Sequence, residues 1–311
     1  MIRPAFLFPG QGSQTPGMAK GFWEDAATQH LFQLADDTLG FHLTRLMLEG
    51  PDDDLRLTHN AQPALLLAGY AAAHYLLKAL NQPLTQAASY VAGHSLGEYT
   101  AVAVAGGMDL PTALKLVRLR GEAMTRAVPA GQGGMLAIIG MELPIIEAVC
   151  RSLRVTLAND NAQGQVIVSG ELSKLKHVEE EVRNHGARKV IALNVAGPFH
   201  TPAMQPAAQA VEACLNEKPL ANLAVPLVMN ATATAHQKPL EVAQHLVGQI
   251  TTTVRWRESM QFMANHKVTQ VLELGVGKVL TGLASRCDTR LNGIALDSPK
   301  AIDTYLESMA T

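Results

Sequence analysis

The sequence is short of cysteine: Cys150, Cys214 and Cys287 are the only three in 311 residues. They are odd in number, far apart and without CxxC spacing, so a disulfide framework is excluded and buried thiols in a reducing compartment are expected. A basic stripe is also missing. The net charge is −2 with both signs dispersed along the chain, which excludes nucleic acid as a partner, because neutralising phosphates takes clustered cations. There is no HExxH and no Cys/His cluster, so no metal is expected. Long apolar runs are absent too. The opening MIRPAFLFPG meets Pro9 and Gly10 too soon for the core of a signal peptide. Ala64 to Leu80, interrupted by Gly69, His74 and Lys78, falls short of a membrane span. The expectation is a cytoplasmic protein with no membrane partner.

Two glycine-rich stretches fail as nucleotide sites. After Gly10 and Gly12 the third glycine of a dinucleotide fingerprint would fall on Thr15. Gly275-Val276-Gly277-Lys278 has Val279 where a phosphate loop carries Ser or Thr for magnesium, and lacks the leading glycine. The acidic run Asp52-Asp53-Asp54 after Pro51 reads as a solvated loop or a helix start.

What is present is apolar content, 48%, enough to bury a large core and a smaller second one. Ala5 to Phe8 reads as a buried strand, Ala64 to Leu80 as a buried helix beginning at Pro63, and Ser89 to Ala92 as a strand. Leu96 to Ala105 reads as the helix after that strand, and Pro111 to Val128 as an amphipathic helix. From about 128 to 197 the order changes. Met135 to Ile139, Pro144 to Leu153, Val155 to Ala158, Val166 to Ser169, Ser173 to His185 and Val190 to Val195 read as β-α-β-β-α-β, the ferredoxin-like split order. A Gly/Asn/Gln loop joins the two middle strands. Leu227 to Met229 and Val271 to Leu274 return to strand, with a helix around Glu241 to Ile250 between them. The fold class expected is α/β, with a discontinuous large domain (1–127 and 198–311) and an inserted small one (128–197).

The chemistry centres on Gly93-His94-Ser95-Leu96-Gly97. A serine hydroxyl needs a base to take its proton and donors to receive the oxyanion. Glycines two before and two after Ser95 permit a tight strand-to-helix turn that lifts the hydroxyl into a cleft and aims the Leu96 N–H at the developing charge. His94 is adjacent, but side chains diverge on such an elbow, so it is expected to hydrogen-bond near the site rather than to Ser95. Of the other histidines, His200 stands out in Gly197-Pro198-Phe199-His200, where the small domain would return to the large one.

PGQGSQ at 9–14, QPAL at 62–65, GHSLGEY at 93–99, LRGEAM at 119–124, ANDN at 158–161, GPFH at 197–200 and GKVLTGL at 277–283 occur in the order seen in malonyl-CoA:acyl carrier protein transacylases. The chain resembles that family over essentially its whole length, and is similar to acyltransferase domains of polyketide and fatty acid synthases. The resemblance implies an α/β-hydrolase-like large domain with a ferredoxin-like insertion. It makes Ser95 the nucleophile and His200 the general base, oriented by the backbone carbonyl of Gln249. It places the backbone N–H of Gln11 beside that of Leu96 in the oxyanion hole, and Arg120 on the free carboxylate of malonyl. Gln62, His94, Asn159 and Asn161 fall on family motifs beside the substrate, Asn159 and Asn161 at the domain junction or as loop turn residues. Phe199 predicts malonyl over methylmalonyl by crowding the α-carbon.

The partners implied are malonyl-CoA and an acyl carrier protein, with CoA and phosphopantetheine thioesters as substrates and no cofactor. Carriers are acidic, so Arg188, Lys189, Lys278 and Arg286 are candidates for the carrier-facing rim, with ordinary solvated charges as the alternative. Val276, Thr252-Thr253 and Ala196 depart from the family pattern, and the stretch QITTTVRWRES at 249–259 leans toward free-standing acyltransferases of polyketide assembly lines. Two rivals stay open: an acyl hydrolase using the same dyad, against which Arg120 argues, and a non-catalytic partner in an acyl-transfer complex.

Overall fold

The computed structural model describes residues 3–310. Met1, Ile2 and Thr311, which the expected domain limits include, lie outside the described residues. Among the described residues ten strands appear in order: β1 Ala5–Phe8, β2 Tyr90–Gly93, β3 Gly133–Ile139, β4 Thr156–Ala162, β5 Gln165–Glu171, β6 Lys189–Ala192, β7 Leu227–Val228, β8 Ala235–His236, β9 Gln270–Leu274 and β10 Asn292–Leu296. They form two sheets. The larger runs β10-β9-β1-β2-β7-β8, parallel except for β8, and the smaller runs β4-β5-β3-β6, antiparallel throughout. The chain is therefore a mixed α/β protein.

The central strand β1 reads AFLF because both of its faces are covered. Phe6 and Phe8 join one apolar core with Leu65, Leu66 and Tyr99, while Ala5 and Leu7 join a second with Trp256, Met260 and Leu283. A third core fills the small sheet, where Leu136, Ile138 and Val168 meet Ile146 and Val178 from its two helices. The small sheet is tied to the large part by backbone bonds from the Asp160 N–H to the Val254 carbonyl at 2.9 Å and from the Val254 N–H to the Ala158 carbonyl at 2.8 Å. Arg257 also grips the buried Asp160 carboxylate through Nε and Nη2.

Several elements differ from the sequence-based expectation. The buried helix is Thr58–Leu80, 23 residues, so Pro63 lies inside it rather than at its start. Proline cannot donate to the carbonyl four residues back, and the freed His59 carbonyl accepts instead from Arg118 Nη1 at 3.2 Å. This helix is long and apolar enough to cross a membrane, contrary to the shorter segment expected, but its side chains pack inside the protein and form the centre of the main core. Asn159 and Asn161 are in β4, not in a loop, because the hairpin turn needs only Gln163 and Gly164, the latter at φ 68°. Strands β8 and β10 were not anticipated, and β6 stops at Ala192, short of Val195. The three aspartates form the first turn of a short helix, Asp52–Arg56. Of the cysteines, Cys150 and Cys287 are buried, Cys214 partly so, and all three are free thiols.

Candidate active site

Ser95 stands where β2 gives way to the Gly97–Val104 helix, with φ at 51°. That left-handed backbone is costly for a residue with a Cβ and persists only where its surroundings enforce it. Two glycines make the turn possible. A Cβ on Gly93 would come within 1.8 Å of the Gly97 carbonyl carbon, and one on Gly97 within 2.1 Å of the Phe8 carbonyl oxygen. Asn230, just past β7, holds the elbow from beside it. Its Nδ2 donates to the Gly93 carbonyl at 2.8 Å and its Oδ1 accepts from the Ser95 N–H at 2.8 Å.

His200 meets Ser95 from the segment that returns from the small sheet. Its Nε2 lies 2.8 Å from Ser95 Oγ, and its Nδ1 lies 2.9 Å from the main-chain carbonyl of Gln249. A carbonyl can only accept, so Nδ1 carries the proton and Nε2 presents its lone pair to the hydroxyl. Burial first, and then the Arg120 charge, push the His200 pKa down to about 3. The imidazole is thus neutral and ready to accept a proton. His94 is bonded instead to Asn161 Oδ1 at 2.8 Å and packs edge-on against Trp256.

Arg120 comes from the Leu110–Arg126 helix, which starts on an Asp109 cap and whose other cations, Lys115, Arg118 and Arg126, are exposed or half-buried. The guanidinium is instead 1% exposed. Nη1 donates to Gln62 Oε1 at 2.7 Å; Nη2 donates to Gln249 Oε1 at 3.0 Å and to Ser95 Oγ at 3.2 Å. The plane lies over the Tyr99 ring, 5.0 Å from its centroid. Of the five N–H groups of a guanidinium, the buried Nε has no acceptor among the described residues. A fixed cation with donors in hand, in contact with the hydroxyl, suits an anionic group on whatever Ser95 attacks.

These groups line one cavity of about 290 Å³ that also takes in Gln11, Gln62, His94, Leu96, Asn159 and Phe199. Gln11 sits in the loop after β1, where Gly12 N–H bonds Gln14 Oε1 at 2.7 Å. The main-chain N–H groups of Gln11 and Leu96 have no acceptor among the described residues. The same cavity has an apolar wall of Met124, Met135, Ile167, Leu193 and Val195. Asn161 is one shell out, behind His94.

Arg188, Lys189, Lys278 and Arg286 are exposed and line no part of this cavity, and Arg286 is engaged with Gln165 Oε1 at 2.6 Å. Arg56 does line it, and sequence reasoning missed it. Also missed were Asn230 and Glu98. Glu98 is fully buried beneath the elbow, accepting from the Asn230 N–H and from Gln249 Nε2 at 2.8 Å. Burial pushes its pKa up to about 8, with both donors and the Arg120 charge opposing.

The chain matches the family model described as the acyl transferase domain over residues 5–284. It is similar to the malonyl CoA-acyl carrier protein transacylases of Bacillus subtilis strain 168, at 38% identity over 99% of this chain and 98% of the relative, and of Escherichia coli K12, at 36% over 99% and 100%. Among solved structures it is similar to an acyl-carrier-protein S-malonyltransferase from Bartonella henselae, with TM-score 0.96 and 36% identity over the full length of both chains. It is also similar to a malonyl-transacylase solved in complex with a type II polyketide synthase acyl-carrier protein, with TM-score 0.93 and 35% identity over 98% of this chain and 99% of that one. A match that runs from β1 past the Ser95 elbow and the His200 loop, together with relatives similar end to end, places this chain in the acyl transferase domain family.

Proposed function

We propose that the protein is a malonyl-CoA:acyl carrier protein transacylase working by a ping-pong exchange through a malonyl ester on Ser95. The observation that carries the reading is the guanidinium of Arg120, buried and 3.2 Å from Ser95 Oγ. A hydrolase of plain esters has no use for a fixed cation at that place, whereas a dicarboxylic thioester presents a carboxylate to it. The relatives' names agree with this reading.

In the first half-reaction His200 Nε2 takes the Ser95 proton as Oγ attacks the thioester carbonyl. The oxyanion develops toward the Gln11 and Leu96 N–H groups at the start of the Gly97–Val104 helix, whose positive end favours it. Collapse expels the CoA sulfur, which receives the proton from His200. In the second half-reaction a phosphopantetheine thiol gives its proton to His200 and attacks the ester; Ser95 Oγ leaves and takes that proton back from His200, and the carrier thiol carries malonyl away. The apolar wall keeps bulk water from competing. No cofactor enters these steps, and both thioesters are substrates. Phe199, 7% exposed and lining the cavity, restricts a methyl on the malonyl α-carbon.

Several further assignments belong to the same reading. The large domain is α/β-hydrolase-like and spans 1–127 and 198–311; the inserted 128–197 domain is ferredoxin-like, supported by its β-α-β-β-α-β order and its sheet order β4-β5-β3-β6. Arg188, Lys189, Lys278 and Arg286 serve the carrier-facing surface, and the enzyme works in the cytoplasm. Transfer of radiolabelled malonyl from CoA to a panel of holo carrier proteins tests the whole. Label on the carrier thiol is expected, and release of free malonate at the same rate with or without carrier would instead make the protein a hydrolase.

A further inference from the structure

Gln249 is tied to the reaction centre twice, and only its main-chain contact to His200 has an assigned task. Its side-chain amide lies between a cation and a buried acid. Nε2 donates to the Ser95 main-chain carbonyl at 2.7 Å and to Glu98 Oε2 at 2.8 Å, while Oε1 accepts from Arg120 Nη2 at 3.0 Å. An amide has donors on one side and an acceptor on the other. Turned over, it would set NH₂ against the guanidinium and oxygen against both the Glu98 carboxyl and the Ser95 carbonyl. Only one orientation satisfies every group.

Glu98 selects that orientation. It is 0% exposed, as is Gln249, so no water can stand in for a lost partner. Its other oxygen takes the Asn230 N–H, which leaves Oε2 committed as the acceptor for Gln249. The guanidinium is in turn held between two amide oxygens, Gln62 on Nη1 and Gln249 on Nη2. Release of one lets the plane pivot away from the geometry in which two parallel N–H groups meet a carboxylate.

We infer that Glu98 is a positioning residue for acyl-group selectivity, acting through the Gln249 amide to hold Arg120 in the pose that reads a second carboxylate. This rests on the malonyl reading proposed above. An acyl group without a free carboxylate makes no use of the guanidinium, so disorder at Arg120 weighs on malonyl and much less on acetyl. A residue that only kept the fold intact would affect both alike.

Glu98→Gln tests this with little change of shape: one end of the side chain becomes a donor and faces either the Asn230 N–H or Gln249 Nε2. Initial rates with malonyl-CoA and acetyl-CoA are compared for wild type and variant above about pH 8, where Glu98 is a carboxylate, with the thermal midpoint measured beside them. Malonyl kcat/KM is expected to fall at least about fivefold further than acetyl kcat/KM, the scale of one weakened hydrogen bond to a charged group. Gln249→Leu keeps the main-chain carbonyl for His200 and removes the amide, so it should shift the ratio the same way; it carries the comparison if the Glu98 variant is recovered unfolded. Equal losses for both thioesters, or an unchanged ratio, overturn the inference. Wild type that fails to transfer malonyl at all overturns the substrate reading instead.

Discussion

Replacing Arg120 with alanine is the perturbation from which most can be worked out in advance. The guanidinium is already desolvated in the folded protein, 1% exposed, so its interaction with an incoming carboxylate carries little further desolvation cost on that side. Two parallel charge-assisted hydrogen bonds at about 1.5–3 kcal/mol each give roughly 3–6 kcal/mol before losses. Water entering the vacated space recovers part of this, leaving about 3–4 kcal/mol, or about 10²–10³ in malonyl kcat/KM. Acetyl transfer should fall far less, so the malonyl-to-acetyl ratio collapses. The same substitution touches His200. Its pKa is held down by burial and then by the Arg120 charge, and a general base must be neutral to work. With the cation gone the pKa rises, so protonation removes activity at a higher pH, and the acid limb of kcat/KM for acetyl-CoA moves up relative to wild type. Stopped-flow or coupled assays with both thioesters, taken from about pH 8 down to about pH 3 where wild-type His200 takes up its proton, provide the check. An unchanged ratio, or an acid limb that stays put or moves down, would refute the reasoning.

Three further outcomes follow from the same geometry. Asn230→Ala removes the bridge between the Gly93 carbonyl and the Ser95 N–H; a denaturant melt should show a loss of about 1–3 kcal/mol, accompanied by a lower kcat for either thioester. His94→Phe keeps a ring against Trp256 but leaves Asn161 Oδ1 without its partner, so stability should drop by about 1–2 kcal/mol while the Ser95 acylation rate stays within about tenfold of wild type. Phe199→Ala opens the cavity wall beside His200 and should raise the methylmalonyl-to-malonyl rate ratio, measured from initial rates; an unchanged ratio would remove Phe199 from the specificity account.

The elbow was legible because local sterics dictate it. Nothing larger than hydrogen fits at Gly93 or Gly97, and those constraints are written in five consecutive letters. His200 was legible as a candidate from its Gly-Pro loop, but its 2.8 Å approach to Ser95 joins residues 105 positions apart and is a product of tertiary folding. Arg120 was the harder case. Periodicity on its helix reads as a charged outer face, and only the packing of the Thr58–Leu80 helix, which brings Gln62 to Nη1, turns that residue inward. Asn230 had no local signal, since its partners depend on β7 lying beside β2. Glu98 sits in the first turn of a helix, where an acid is ordinarily explained by the helix dipole, and its burial cannot be read from that position. Pro63 misled the helix start because the donor that compensates for it, Arg118, lies on another helix.

The central claim is that Ser95 carries the acyl group between two thiols. Intact-mass and peptide analysis of the enzyme mixed with malonyl-CoA tests it most directly. The account predicts one malonyl adduct on the Ser95 peptide, lost on adding a holo carrier protein and never formed by Ser95→Ala. An adduct on another residue, or malonyl reaching the carrier with Ser95 replaced, would contradict it.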